Sequence, residues 1–295
     1  MNTEDVSARH ADLDRWPDAE IVLALLDDQL AAAAVARAAG PELANAAGAA
    51  AGRLAGGDGR LIYAGAGASG RLAVQDGVEL TPTYGWPDDR LVYLMAGGEA
   101  ALVRSVEGAE DDADGAVLAV RAMSPGPEDV LIGVAASGRT PWTVAAVRAA
   151  REAGALTVGI ANNAGTPLGE ASEHAVDLPT GAEVVAGSTR LAAGTAQKIA
   201  LNTLSTGIMV RLGGTYGPLM VGLASANAKL DARRLRILRA IVPADEAAAG
   251  RALEVAGKDI RVAALILAGD APDAARTRLT AAGGDLRRAL EGMAR

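Results

Sequence analysis

Short apolar runs alternate with longer alanine-rich stretches through the first two thirds of the chain. The runs have the composition of strands buried on both faces, and the alanine-rich stretches favour helix. Strands joined by helices indicate a parallel sheet covered on both sides. The pattern therefore predicts an α/β fold with a doubly wound, five-stranded parallel sheet. Its predicted strands are 60–64, 90–95, 129–134, 155–160 and 175–178.

Helical patterns flank this region on both sides. Leu23, Leu26 and Leu30 recur at helical spacing, together with Leu25 and Val35, within one predicted helix. This organisation predicts an N-terminal helical segment (1–50), a central α/β domain (51–214) and a small C-terminal helical domain (215–295). The predicted helices outside the strand-linking segments are 18–54, 188–212 and a charged tail from 231 to 295, and a weak acidic helix is predicted over 99–123.

Two glycine-serine loops each follow a predicted strand and open a predicted helix. They read Gly65-Ala66-Gly67-Ala68-Ser69-Gly70-Arg71 and Ala136-Ser137-Gly138-Arg139-Thr140. A helix N-terminus presents unpaired N–H groups and a partial positive charge, and serine adds a hydroxyl donor. Ligands of doubly wound sheets bind beyond the carboxyl ends of the strands, where both loops lie. The pair of loops predicts a site for a phosphorylated small molecule.

The first loop also matches the glycine pattern of dinucleotide-binding proteins. That pattern requires an acidic residue at the end of the second strand, about 20 residues further on. Here Asp88 and Asp89 precede the second strand, which ends in Ala96-Gly97-Gly98. A ligand-free tight turn is the other alternative for a single loop, and the second Ser-Gly loop favours phosphate.

Composition narrows the function further. The 295-residue chain has a net charge of −8, 2% aromatic residues, no cysteine and only two histidines, His10 and His174. Disulfides and cysteine-ligated zinc are excluded, and a nucleic-acid-binding surface is not expected. The sequence shows neither a secretory signal nor a membrane-spanning run. We expect a cytoplasmic protein that does not contact nucleic acid or membrane.

Several polar residues are candidates for chemistry. Glu79 lies among apolar and small residues before Pro82, where a carboxylate is capping, paired or chemical. Glu107 and Glu110 are predicted to share a helix face, although such acidic runs are often solvated. Ser188 or Thr189 is predicted as a helix N-cap. Lys229 is either a phosphate counter-charge or a solvent-facing lysine.

Beyond these single residues, several motifs occur together in one order. They are Gly65–Leu72, Glu79–Gly85, Ala96–Gly98, Glu107–Asp112, Ala135–Pro141, Gly187–Lys198, Leu201–Gly207 and Asn227–Leu230. In these motifs the chain resembles the N-acetylmuramic acid 6-phosphate etherases over nearly its whole length. These are lyases of the sugar isomerase (SIS) fold, and they are similar to the glucokinase regulatory protein.

The resemblance implies a reaction and a set of roles. D-Lactate is eliminated from C3 of the open-chain sugar and water is added, which gives N-acetylglucosamine 6-phosphate. Glu79 matches the carboxylate that protonates the lactyl ether oxygen, and Glu110 matches the base at C2. The implied substrate-binding residues are Gly67, Ser69, Gly70, Glu107, Ser137, Gly138, Thr140 and Lys229. No metal or organic cofactor is implied. A sugar-phosphate-binding regulator without catalysis and an aldose-ketose isomerase of the same fold are the alternatives.

Three departures from the family pattern stand out. Ala68 replaces a hydroxyl residue of the phosphate loop, a loss worth about 1 kcal/mol if one hydrogen bond is missing. Leu80-Thr81 replaces the Cys-Pro that follows the first carboxylate. The opening Thr3-Glu4-Asp5-Val6 lacks the usual Glu-Arg-Asn pattern. None of the three removes a catalytic carboxylate.

The spacing of Ser69 and Glu79 predicts a dimer. Ten residues of continuous helix span about 15 Å. A hexose phosphate reaches roughly half of that from its phosphate to C3. Unless the helix breaks, Glu79 cannot act on a sugar bound to its own loop. We therefore expect a homodimer whose active site lies at the subunit interface, with Glu79 and Lys229 contributed by the partner subunit.

Overall fold

The computed structural model describes residues 2–223 and 228–293, without the side chains of residues 228 and 229. The chain divides into two compact units. The first contains the residues through Gly77 together with Asp89–Ser205. The second contains Val78–Asp88 and the residues from Thr206 onward. The three-segment division expected from the sequence stays a prediction.

A five-stranded parallel sheet forms the centre of the first unit, which confirms the predicted fold class. The strand order is β2-β1-β3-β4-β5. All four pairings are parallel, and at the carboxyl end of β1 Gly65 lies between Met95 and Val134. The strands, with a short antiparallel pair in the second unit, are β1 (Leu61–Gly65), β2 (Leu91–Met95), β3 (Val130–Ala135), β4 (Leu156–Ala161), β5 (His174–Asp177), β6 (Thr215–Tyr216) and β7 (Leu219–Met220).

Helices connect the strands and make up most of the second unit. Short 3-10 helices lie at Ala8–His10, Leu13–Arg15, Asp88–Arg90 and Ala109–Asp111. The α-helices are α1 (Asp18–Ala38), α2 (Gly40–Leu54), α3 (Gly67–Val78), α4 (Leu80–Tyr84), α5 (Ala100–Val103), α6 (Ala113–Met123), α7 (Pro141–Glu152), α8 (Pro167–Ala171), α9 (Ala192–Arg211), α10 (Ala228–Ile241), α11 (Glu246–Val255), α12 (Ile260–Leu267), α13 (Pro272–Ala281) and α14 (Leu286–Glu291).

The predicted helix over 18–54 is wrong in one respect, because the structure contains two helices. Pro41 stands in the first turn of α2, where its missing N–H costs nothing, whereas inside a longer helix it would remove a hydrogen bond. Three leucines of α1 are spaced like a stripe that faces a core, but they lie on the exposed side of the helix. Leu23, Leu26 and Leu30 are 54–71% exposed, and the helix buries alanines instead. Helix α1 therefore carries an apolar face that the described residues of its own chain leave exposed.

Helix α9 begins at Ala192, later than expected, and neither Ser188 nor Thr189 is its N-cap. The buried carboxylate of Glu183 accepts hydrogen bonds from the N–H groups of Ala192 and Ala193, at 2.9 and 3.0 Å. Burial raises the pKa of Glu183 above its ordinary value, although both hydrogen bonds oppose the shift. The Glu183 carboxylate therefore accepts the hydrogen bonds that an N-cap side chain usually accepts at the start of a helix.

A buried polar network connects β1, α3 and α9 within the first unit. The Asp76 carboxylate accepts hydrogen bonds from the Tyr63 hydroxyl at 2.8 Å, the Asn202 amide at 2.5 Å and the Ser205 hydroxyl at 3.1 Å. Burial and the neighbouring Asp76 charge raise the pKa of Tyr63 well above its ordinary value, so the phenol stays a donor. Three donors satisfy a charge that would otherwise be costly to bury.

The second unit has its own apolar core. Leu238, Leu265 and Leu286 are fully buried there and pack with other aliphatic residues of α10 to α14. The predicted turn at Gly283-Gly284 is present, and Asp285 caps α14 by accepting from the N–H of Arg288. The helical character predicted for the C-terminal region is confirmed.

The ion pair of Arg60 and Asp129 gives a prediction about stability and pH. The Arg60 guanidinium donates to both carboxylate oxygens, at 3.1 and 2.7 Å, and the N–H groups of Arg60 and Gly126 donate as well. Burial alone would raise the pKa of Asp129, but these hydrogen bonds outweigh it and hold the pKa below its ordinary value. The pair therefore stabilises the fold above about pH 4, and this contribution is lost as the pH falls through the lowered pKa.

Asp129→Asn should lower the free energy of unfolding by about 2 kcal/mol at pH 7, because the Arg60 side chain, which is only 26% exposed, loses its buried partner. The difference from wild type should shrink between pH 5 and pH 2. Urea unfolding followed by circular dichroism measures both effects. The control is Asp12→Asn, whose carboxylate lies 3.9 Å from Arg15 in a largely exposed pair and should matter little. A loss that is independent of pH would contradict this account.

Candidate functional site

A cleft of about 430 Å³ opens at the carboxyl ends of β1 and β3, in the first unit. The chain passes from β1 to β2 on one side and returns to β3 on the other, so these two strands form the point where the strand order reverses. The connections that follow β1 and β3 leave this edge of the sheet in opposite directions, so side chains can meet in the crevice between the two strands. Its lining residues are Glu4, Ala66, Gly67, Ala68, Ser69, Glu110, Asp111, Ala135, Ala136, Ser137, Arg139, Thr140, Pro141 and Thr189.

The first glycine-serine loop supplies one wall through the first turn of α3. Gly67 and Ser69, two of the predicted substrate-binding residues, line the cleft. Gly70 lies behind them, since a side chain there would overlap the carbonyl of Gly65 and the sulfur of Met95. This glycine lets the helix start close to the strand, so that the first turn of the helix borders the cleft.

The second loop forms the opposite wall, at the first turn of α7. Ser137 and Thr140 both line the cleft. Thr140 stands at the N-cap position but makes no side-chain capping bond, and Pro141 follows it. The Thr140 hydroxyl therefore borders the cleft without capping its own helix. Ser137 accepts the N–H of Arg139 at 3.1 Å, which leaves its hydroxyl proton for another acceptor.

Glu110 also lines the cleft, but the predicted shared face of Glu107 and Glu110 is wrong. Glu107 lies in a turn, and Gly108 with φ of 71° precedes the short 3-10 helix that carries Glu110. The helical register is broken there, so Glu107 is not among the lining residues and Asp111 is. Asp112 caps α6 through the N–H of Gly115 at 2.8 Å.

The two residues expected from the partner subunit, Glu79 and Lys229, belong to the second unit, whereas the cleft belongs to the first. The Glu79 side chain is exposed and makes no capping hydrogen bond at the start of α4. Helix α3 is unbroken up to Val78, directly before it. The side chain of Lys229 lies outside the described residues. The roles expected for these two residues stay predictions.

The sequence does not predict four further polar residues of the cleft as site residues, namely Glu4, Asp111, Arg139 and Thr189. Arg139 is the one cation among the lining residues of the cleft in the described part of the chain. Its position inside the Ser-Gly-Arg-Thr loop was the available signal. Glu4 and Thr189 come from distant parts of the sequence. Thr189 belongs to the Gly187–Lys198 motif, but no local pattern predicts that either residue reaches the cleft. The positive potential of the cleft therefore comes from two helix N-termini and one arginine, beside acidic side chains.

Gly138 gives a second prediction, on loop geometry. It has φ of 64°, and a Cβ atom there would overlap the side chain of Thr166. Gly138→Ala should cost about 2–5 kcal/mol, from a left-handed backbone and overpacking together. Gly67→Ala is the matched control, with φ of 54° but no atom within 4 Å of the added Cβ. Thermal unfolding compares the two, and equal losses would refute the role of Thr166.

Comparisons with known proteins agree on one family. A model of the glucokinase regulatory protein N-terminal SIS domain matches residues 43–151, and a model of the SIS domain matches residues 103–206. The N-acetylmuramic acid 6-phosphate etherase of Deinococcus radiodurans is 51% identical over 98% of this chain and 94% of its own length. The etherase of Rubrobacter xylanophilus is 47% identical over 98% and 95%. The chain belongs to the N-acetylmuramic acid 6-phosphate etherase family.

Among solved structures, a phosphoheptose isomerase from Francisella tularensis matches with a TM-score of 0.48 and 16% identity, over 66% of this chain and 98% of that protein.

Within the described ranges, no helix has both the length and the apolar character needed to cross a bilayer. The same part of the chain holds no group of three or more acidic or histidine side chains placed to bind a metal ion.

Proposed function

We propose that this protein cleaves the D-lactyl ether of N-acetylmuramic acid 6-phosphate and releases N-acetylglucosamine 6-phosphate and D-lactate. The near-full-length identity to curated etherases carries this proposal. Its support from the site is that Ser69, Ser137, Thr140 and Glu110 line one cleft. The proposed location is the cytoplasm, since a sugar phosphate is a charged metabolite that membranes retain.

In this proposal the two loops hold the 6-phosphate. The hydroxyl groups of Ser69, Ser137 and Thr140 and the N–H groups of two helix starts donate to its oxygens. Arg139 supplies the positive charge from the rim of the cleft. Ala68 contributes no hydroxyl group, so the backbone carries more of the binding in the first loop.

Glu110 would act as the base. The C1 carbonyl of the open-chain sugar acidifies the C2 proton, and Glu110 takes that proton. The C3–O bond breaks as an acid protonates the lactyl oxygen, which leaves a double bond between C2 and C3. Water then adds its oxygen to C3 and a proton returns to C2. The sum is one water consumed and one D-lactate released, with no electron transfer.

The protonation of the lactyl oxygen is proposed for Glu79 of the partner subunit in a homodimer. Helix α3 is unbroken between Ser69 and Val78, which keeps the spacing argument in force. The exposed apolar face of α1, formed by Val22, Leu23, Leu26 and Leu30, favours association because such faces are uncommon on monomers. Sedimentation should give about twice the chain mass of 29.6 kDa.

The proposed activity is tested by incubating the protein with N-acetylmuramic acid 6-phosphate and measuring D-lactate. Release of lactate with formation of N-acetylglucosamine 6-phosphate supports the etherase. Tight binding of the sugar phosphate without lactate would instead indicate a regulator. Conversion of fructose 6-phosphate to an aldose phosphate would indicate an isomerase.

A further inference from the structure

The opening residues of the chain lie against the site, far in sequence from the two loops. Thr3 is fully buried although Asn2 and Glu4 on either side are exposed. Its N–H donates to the side-chain oxygen of Asn163 at 3.3 Å, and the Asn163 amide donates to the Thr3 hydroxyl at 3.2 Å. A short segment with two reciprocal hydrogen bonds to one side chain is held in place rather than lying free on the surface.

Asn163 connects this segment to the phosphate-binding side of the cleft. It stands just beyond the carboxyl end of β4, and its amide also donates to the carbonyl of Ala136 at 3.0 Å. Ala136 belongs to the second loop and lines the cleft. One asparagine therefore fixes the opening segment and the loop relative to each other.

A tight turn then directs Glu4 to the cleft. The side chain of Asn2 accepts the N–H of Glu4 at 2.9 Å, and the N–H of Asn2 donates to the Asp5 carboxylate at 2.8 Å. Glu4 lines the cleft together with Thr189. Its carboxylate lies so close to Gly187 that a Cβ atom added to this glycine would be in van der Waals contact with it. The turn and the 187–189 segment thus limit where this carboxylate can go.

The chemistry of Glu4 restricts what it can bind. An ionised carboxylate only accepts hydrogen bonds, and it repels a phosphate. Glu110 and Asp111 are the other acids of the cleft, and Arg139 is on the phosphate-loop side. The partner that suits Glu4 is a neutral donor on the sugar, either a hydroxyl group or the amide N–H.

We propose that Glu4 is a substrate-binding residue that accepts a hydrogen bond from a hydroxyl group or the amide N–H of the sugar, and that Thr3 and Asn163 position it. This inference rests on the proposed function, whose substrate carries both kinds of donor. The two glycine-serine loops would then recognise the phosphate, and the opening segment would recognise the sugar.

Calorimetry with two ligands tests the proposal without turnover. Glu4→Gln should weaken binding of N-acetylglucosamine 6-phosphate about 10-fold, because the hydrogen bond to the sugar loses its charge assistance. Binding of inorganic phosphate should stay equal or tighten, because a negative charge has been removed. Glucose 6-phosphate, which lacks the amide group, identifies the donor. If Glu4→Gln does not weaken the binding of this ligand, the donor to Glu4 is the amide N–H. Glu173→Gln, an exposed glutamate outside the cleft, is the matched control.

The positioning residues have their own variants. Thr3→Ala should reproduce part of the loss for the sugar phosphate, and Thr3→Ser, which keeps the hydroxyl acceptor, should restore it. A purely structural role would weaken both ligands equally, and that result would overturn the proposal. Unchanged sugar-phosphate affinity in Glu4→Gln would overturn it as well. If the wild-type protein binds neither ligand, the proposed function itself fails, which is a distinguishable result.

Discussion

Replacing Glu110 with glutamine should lower kcat for D-lactate release by about 10²- to 10⁴-fold, the range that removal of a general base produces. Glutamine keeps the size and the hydrogen-bonding carbonyl of the side chain but cannot take the C2 proton. Because Glu110 lies on an exposed 3-10 helix, the substitution should leave the free energy of unfolding nearly unchanged. Coupled assay of lactate gives kcat, and calorimetry with N-acetylglucosamine 6-phosphate confirms that the cleft still binds.

The matched control is Asp114→Asn, in the first turn of α6 and outside the cleft lining. It removes a carboxylate of the same acidic segment and should retain activity. Exchange of the C2 proton with deuterated water separates the steps, because Glu110→Gln should abolish exchange as well as lactate release. Exchange that continues at the wild-type rate would assign the base to another group, and Asp111 would then be the next candidate.

The sheet could be predicted from the sequence because each strand is a short apolar run bounded by small residues. The five observed strands differ from the predicted ones by about one residue at each end. The positions of Ser69 and Ser137 in one cleft also follow from the sequence. Each residue follows a strand by a few positions, and neighbouring parallel strands end at the same edge.

Other parts of the site could not be predicted, for identifiable physical reasons. Glu4 and Thr189 reach the cleft through tertiary contacts, which leave no local period in the sequence. The prediction that Glu107 and Glu110 share a helix face is wrong because it assumed an α-helical register across Gly108, where the backbone has a positive φ. A single glycine in a charged segment was the one sign of this break.

Helix α1 illustrates a further limit of the hydrophobic pattern. Leu23, Leu26 and Leu30 have the period of a buried stripe, yet alanines of the same helix make its buried contacts. Periodicity identifies an apolar face but does not say which surface covers it. Small residues on the other side allow the close helix packing that a leucine would prevent.

A mixture of two inactive variants should recover activity if the site is shared between subunits. Glu79→Gln is expected to abolish lactate release, because the lactyl oxygen would leave without a proton. In a heterodimer of Glu79→Gln and Glu110→Gln, one of the two sites would have both carboxylates and the other neither. Random exchange of subunits makes about half of the dimers mixed, and each mixed dimer has one functional site out of two. The mixture should therefore reach about a quarter of wild-type activity.

The control for this experiment is Glu110→Gln mixed with the double variant Glu79→Gln/Glu110→Gln, in which no combination restores a site. Differently tagged chains and native mass spectrometry show that subunits have exchanged. A mixture that exchanges but stays inactive would mean that both carboxylates act from one chain, and the unbroken helix α3 would then no longer separate Glu79 from the sugar. Recovery of about a quarter would assign the acid to the partner subunit, and the spacing between Ser69 and Glu79 would be the reason that this enzyme needs a dimer.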